Sequence, residues 1–322
     1  MLLIFVMMFS VNPQDSLDLF VQRGMEAFYR ENYDSSKFYI NKVIQADTNN
    51  PFGYFIYTGL LRLYASDFVT DSLIDSFYYY ANKTIKKALL RLGEDNKKED
   101  AWAHFFIGGV NMYIASLCIE KGDYIKSLGY AEKSIGEINT CLKIDPKLYD
   151  AYLTLGSYEY LKGSFPLWGR YKEDGIEKIR IAAERSKYSG PIARNILAIL
   201  LLREKRFDEA IQEAKKLIIS YPESRTFRWT LCKSYMGKDD WNNAIKCYNE
   251  LLLKIKKEQP HNIYNRVQIE LSLAKSYYSV GDYKSAQMYC EDIFLIGKKD
   301  KRTIGMQKEA MVIYKKLAKI NK

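Results

Sequence analysis

Histidine is almost missing from this 322-residue chain; His104 and His261 are the two present. So few leave no histidine metal cluster and little material for a histidine general base. Seven prolines and eighteen glycines are too few for a collagen-like or low-complexity chain. No apolar run reaches the roughly 18–20 residues that a membrane-spanning helix needs. The five cysteines (Cys118, Cys141, Cys232, Cys247, Cys290) include no CxxC pair and no zinc spacing. Their odd number argues against a full disulfide framework, and Cys232 and Cys290 read as small core residues. Phosphate-cradling glycine loops, HExxH, GxSxG and EF-hand patterns are all lacking. Acidic pairs do occur, as at Asp239-Asp240 and Glu99-Asp100, but at turns or helix starts, where negative charge suits the helix N-terminus. His104 sits beside Trp102 and Phe105, with no second metal ligand near it in sequence. These absences predict no catalytic residues, no metal and no cofactor, and hence a protein that is not an enzyme.

What is present is apolar and aromatic. Hydrophobic residues make up 48% of the chain and aromatics 14%, enough to offset the entropy of folding and exclude a disordered chain. The net charge is +10, and residues 297–322 alone hold nine Lys/Arg against two Asp/Glu. That excess reads either as a footprint for an acidic partner or as a solvated, lysine-rich end cap. Lysine dominates arginine and no basic-aromatic strip appears, which argues against nucleic acid. Residues 1–14 open with the apolar run Met1 to Val11, similar to the core of a signal peptide but without a basic start or an Ala-x-Ala site. The expectation is export to the periplasm or beyond; a cytoplasmic protein with a short apolar segment packed on its first repeat is the alternative.

The organisation is repetitive. From Pro191 to Pro222 apolar residues recur at spacings of three and four, giving helix, turn, helix. Ala198 and Ala210 lie twelve apart, followed by Ala214 and Leu217. The frame recurs as Cys232, Ala244, Tyr248 and Leu251, and again as Ala274, Ala286, Cys290 and Ile293. Small residues are needed at the twelve-apart pair because two antiparallel helices cross closest there. Further upstream Gly24 pairs with Ser36, Gly59 opens a unit whose second helix runs through Ala81, Ile85 and Ala88, and Gly108 pairs with Ser127. Gly156 pairs with Gly175. The last two pairs are nineteen apart, which is two extra helical turns. About seven repeats result, then a capping helix from about Thr303 to Ile320.

Gly281-Asp-Tyr-Lys-Ser-Ala286, Arg206-Phe-Asp-Glu-Ala210 and the closing Lys143-Ile-Asp-Pro146 resemble the tetratricopeptide repeat (TPR). The resemblance implies an all-α, right-handed superhelical solenoid occupying 15–322 as a single domain. Residues 15–147 and 148–190 carry insertions, 191–300 are regular repeats and 301–322 form the cap. Tyr149 to Tyr160, Phe165-Pro-Leu-Trp168 and Asp174-Gly-Ile-Glu-Lys178 are also similar to a divergent TPR group that includes tetratricopeptide repeat protein 39, yeast Iml2 and bacterial relatives.

A TPR solenoid implies a concave groove lined by first helices, and function is expected there: binding of a protein or peptide partner of acidic character. Candidate residues are Trp102, Phe105, Tyr160, Trp229, Lys233, Lys275 and Tyr278. Packing between superhelical turns explains the same aromatic stripe equally well. Trp168 is a candidate on a loop broken by Gly163, Pro166 and Gly169. The alternative function is a carrier for a lipid or small hydrophobic ligand, enclosed by the N-terminal repeats and insertions. Association with a membrane surface remains open on these residues.

Overall fold

The computed structural model describes residues 13–93, 97–164 and 169–320. Among them lie fifteen α-helices, one 3-10 turn (Lys301–Thr303) and no strand. The helices form seven antiparallel pairs: α1 Pro13–Tyr29 with α2 Tyr33–Ala46, α3 Pro51–Phe68 with α4 Ile74–Leu89, and α5 Lys97–Glu120 with α6 Tyr124–Ile144. Next come α7 Asp150–Gly163 with α8 Tyr171–Arg185, α9 Gly190–Arg203 with α10 Phe207–Ser220, α11 Arg225–Gly237 with α12 Trp241–Glu258, and α13 Ile263–Ser279 with α14 Tyr283–Gly297. The last helix, α15 (Ile304–Ile320), packs on the seventh pair. This is the expected TPR solenoid with its capping helix.

The turn chemistry explains why the pairs form. Glu31, Val69, Gly122, Lys205, Asp239 and Gly281 each end a first helix in the left-handed conformation. In all six of these turns the next amide reaches back to close the helix, as in Asp123 N–H to Cys118 O (2.8 Å) and Asp282 N–H to Tyr277 O (3.0 Å). The same residue then often caps the second helix. Asn32, Asp123, Asp240 and Asp282 accept from the amides of Ser35, Lys126, Asn243 and Ser285. One short sequence thus stops a helix, reverses the chain and starts the next.

Small residues sit where the helices cross. The Ser36 hydroxyl donates to Gly24 O (3.0 Å), and a Cβ on Gly156 would strike the Gly175 carbonyl and Ile179. The third pair corrects the sequence register. A Cβ on Gly108 would meet Ile138 and the carbonyl of Ser134, so its partner is Ser134 rather than Ser127. Both α5 and α6 therefore gain about two turns, and periodicity alone could not separate one added heptad from two. α5 is also the helix whose length and composition would suit a membrane span, yet 67% of its most apolar stretch is buried among its neighbours.

The solenoid closes on itself. The α1–α2 turn and the end of α3 reach the sixth and seventh pairs, 158–198 residues later. Glu31 caps α11: its carboxylate accepts from Ser224 Oγ (2.8 Å) and from the amides of Arg225 (2.9 Å) and Thr226 (2.8 Å). Arg225 pairs with Asp67 and Glu258 and lies 3.2 Å from Glu31, and Tyr33 donates to Asp67 (2.8 Å). The carbonyl end of α3 is served in turn by Asn265 to Asp67 O (2.7 Å), Asn262 to Phe68 O (3.1 Å) and Arg302 to Val69 O (2.7 Å). Helix ends leave such groups unpaired, and here distant repeats supply the partners. Burial, ahead of the nearby Asp67 charge, pushes the Glu31 carboxyl above its ordinary range. Around this contact Phe28, Tyr33, Ile56 and Leu60 share one core cluster with Leu217 and Phe227.

Candidate functional site

The first two pairs contact the N-terminal ends of α11 and α13. Trp229 and Lys233 lie further along α11, Lys275 and Tyr278 further along α13, and Ile199 within α9.

Trp229 is half-buried against the sixth pair, its ring 6.1 Å from that of Tyr248. Lys233 lies one turn on, with Nζ 5.2 Å from the Trp229 ring centroid. Its side chain is exposed, yet nearby protein strips part of the hydration of its ammonium and holds it below the ordinary lysine range. Among the described residues no carboxylate pairs with it. Lys275 differs in that respect, because its Nζ is 2.5 Å from Glu309 on α15. Tyr278 is half-buried, 5.7 Å from the Tyr283 ring.

Other residues expected on the groove take different places. Phe105 is buried at 7% exposure, edge-on to Phe55 and Trp102 in the core between the second and third pairs. Tyr160 is 4% exposed and donates to Glu204 (2.7 Å), which Lys172 also engages (2.8 Å). Neither offers much surface. Trp102 is half-buried, on the wall of a cavity formed with α1, α3 and the α8–α9 loop. Trp168, with Phe165 and Leu167, lies outside the described residues. Asn195 is buried and accepts from Thr230 Oγ1 (2.7 Å), so it braces α9 against α11. His104 pairs with Glu137, Nδ1 to Oε2 2.6 Å, across the third pair. Among the described residues no His/Cys/Asp/Glu group has metal-holding geometry.

Two structural residues escaped the sequence reading. Buried Asp150 accepts from three consecutive amides, Lys187 (2.9 Å), Tyr188 (3.0 Å) and Ser189 (2.8 Å), fixing the α8–α9 loop. Tyr188 on that loop then stacks near Phe52 (4.8 Å) and Trp102 (5.8 Å), while Tyr29 donates to its carbonyl. An acidic residue just after Asp145-Pro146 was visible, but its partners lie 37–39 residues away. The second miss concerns the cysteines. Cys232 is buried, as expected, but is disulfide-bonded to Cys247, joining α11 to α12. Cys118, Cys141 and Cys290 are free and buried.

No protein-family model matches the chain. Among curated proteins, the RxLR effector protein SFI4 of Phytophthora infestans is 28% identical over 163 residues, 47% of this chain. The chain thus spans about half (48%) of that relative's length. Among solved structures, the STAND protein PH0952 of Pyrococcus horikoshii, described with a tetratricopeptide repeat sensor, matches 97% of this chain and 47% of its own. Its TM-score is 0.56 at 12% identity. The APC/C hetero-tetramer Cut9–Hcn1 gives a TM-score of 0.59 at 15% identity, covering 94% of this chain and 54% of the other. These likenesses establish the fold: an all-α TPR solenoid, the architecture of a helical-repeat scaffold.

Proposed function

We propose that this protein is a non-enzymatic scaffold that holds an acidic protein or peptide segment against the wall of α9, α11 and α13. The observation that carries this reading is Lys233: an exposed lysine beside a tryptophan, with no carboxylate paired to it among the described residues. Such a cation loses less hydration on meeting a partner's carboxylate than one in open water, and the adjoining ring supplies apolar contact. Lys275 and Tyr278 extend the wall, and Lys275 can exchange Glu309 for an incoming acid. Two structural neighbours are described as a sensor-bearing protein and a hetero-tetramer, uses consistent with partner binding.

The solenoid from 15 to 322 acts in this reading as one unit. We place it in an oxidising compartment, reached by export: the Cys232–Cys247 bond supports that, since such bonds persist mainly outside the reducing cytosol. Kinship with the tetratricopeptide repeat protein 39 and Iml2 group is a part of the reading that rests on residues 149–178 alone.

The test is cross-linking of tagged protein in its own cells, wild type beside Trp229→Ala and Lys233→Ala variants. A protein recovered with wild type and lost with both variants is the expected result. A partner that both variants retain at full yield overturns the placement of the site.

A further inference from the structure

A cavity of about 380 Å³ opens where the N-terminal ends of α3 and α5 meet α1 and the α8–α9 loop. It lies apart from the α9–α11–α13 wall, and the scaffold reading does not use it. Its size falls in the range of small-molecule sites, about 300–1,000 Å³. One side is aromatic. Phe52, Trp102, Phe106 and Tyr188 touch one another ring to ring, at 4.8 to 5.8 Å between centroids. Phe106 is buried, whereas Phe52, Trp102 and Tyr188 keep part of their surface open to the cavity.

The rim is charged and its balance is positive. Arg91, Lys98 and Lys187 line it, against Asp18 and Glu99. Arg91 and Glu99 engage each other at 3.4 Å, and Asp47 also pairs with Arg91 at 3.2 Å, so the anion-binding charge of the rim rests on the lysines. Lys187 is exposed, with Nζ 4.9 Å from the Tyr188 ring. Its backbone is pinned by Asp150 through the amide, so the side chain is held at the rim by a rigid loop. Two helices also point their N-terminal ends at the cavity, which adds positive potential. A flat apolar body fits the ring wall, and a negative head group fits the rim. A cationic ligand would meet the like charge of exposed Lys187 beside the ring wall.

We propose that this cavity binds a small amphipathic anion: a carboxylate or sulfonate carried on an aromatic or aliphatic body. Such a ligand would tie α1 and α3 to the 187–188 loop, across the seam where the first repeats meet the fourth.

The experiment uses full-length protein and two probes of matched size and opposite charge, dodecanoate and dodecyltrimethylammonium. Each competes against the fluorescent anion 1-anilinonaphthalene-8-sulfonate. The expected result is one saturable sulfonate site per chain, displaced by dodecanoate at least tenfold more effectively than by the cation. Lys187→Glu should weaken sulfonate binding about tenfold. It alters an exposed side chain and leaves the Asp150–amide bond intact, so folding is preserved, as circular dichroism will show. Trp102→Leu should weaken both dodecanoate and the sulfonate. Lys233→Ala should change neither, which separates this site from the peptide wall. The proposal is overturned by no saturable binding, by equal displacement with the cation, or by Lys187→Glu and Trp102→Leu both binding as wild type does.

Discussion

The first three helix pairs and the last three share a fold but pack by different means. In α9 to α14 the buried side chains are mainly alanine, cysteine and branched aliphatics: Ala198, Ala214, Cys232, Ala244, Leu251, Ala274, Cys290 and Ile293. Neighbouring helices approach closely because little stands between them. In α1 to α6 the spaces are filled by rings, with Phe52, Phe55, Phe105, Phe106 and Tyr113 in mutual contact and Tyr57 stacked on Tyr80 at 4.0 Å. Small residues give a lattice that repeats in sequence. Rings give an irregular interior that can also meet a second surface, and the N-terminal pairs use this to pack onto Leu217 of α10 and Phe227 of α11. Regularity is kept where repeats touch only their neighbours, and lost where one end of the solenoid fills the other.

That contrast can be broken most severely at Arg225. Arg225→Met leaves the buried carboxylates of Glu31 and Asp67 without their cation, and should cost about 3–5 kcal/mol. Urea unfolding would measure the loss. Small-angle scattering should also show a larger radius of gyration if the N-terminal pairs come off the concave wall. An unchanged radius with intact stability would mean the apolar cluster around Phe28 and Phe227 holds the closure alone.

Next in size is the covalent bond within the regular half. Unfolded without reductant, the protein should expose three reactive thiols of its five cysteines, and all five after reduction. Its loop spans 15 residues, so Cys232→Ala with Cys247→Ala should cost about 3 kcal/mol. Five thiols in protein isolated under oxidising conditions would remove the support for an oxidising compartment.

A smaller effect, of opposite sign, is expected at Glu270 in α13. Its side chain is fully buried; Arg266 donates to one oxygen (2.8 Å), and the other has no hydrogen-bond partner. Burial, opposed by Arg266, raises its pKa in the folded state. The unfolded chain therefore releases this proton first as pH rises. Between the two pKa values the group's contribution to stability falls with increasing pH, and above the folded value it is lost. Glu270→Gln should remove that slope and stabilise the protein at pH 7 by about 1 kcal/mol, the lower end of the cost of an unsatisfied buried group. Melting temperatures from pH 4 to 8 would show it.

The smallest change concerns the turns. Lys205 and Asp239 adopt φ of 60°, where a side chain costs about 1–2 kcal/mol; glycine avoids this but gives back about 0.5–1 kcal/mol in chain entropy. Lys205→Gly and Asp239→Gly should each raise the melting temperature slightly. Glu31→Gly, at φ 59°, should lower it, because that carboxylate caps α11. The pair of outcomes compares a turn serving only its own repeat with one serving a repeat 194 residues on.

The regular half was legible because each contact falls within about forty residues and rests on a repeated spacing. Ala198, Cys232 and Ala274 are fully buried where the frame placed them. The capping helix begins within a residue of the expected position. Closure was not legible. Glu31 and Asp67 look like ordinary acids at helix ends, Arg225 like a residue after an N-cap serine, and nothing local says that they meet. Phe105 and Tyr160 misled for a nearer reason: rings of the adjacent pair cover Phe105, and Glu204 of the next pair takes the Tyr160 hydroxyl. Trp229 and Lys233 lie beyond the reach of the first pairs and keep an open face.

The buried link between Glu31 and Arg225 also bears on how the chain is made. Synthesis proceeds from the N-terminus at about 5–20 residues per second. The 194 residues between the two therefore take on the order of 10–40 s to appear. Through that interval the first two pairs carry an unpaired acidic turn, an uncapped α3 and the exposed faces of Phe28, Tyr33 and Leu60. A nascent solenoid of nearest-neighbour repeats can mature step by step, but this one must wait for its sixth repeat. Its early product is a sticky, half-finished surface that a ribosome-associated chaperone would be expected to shield.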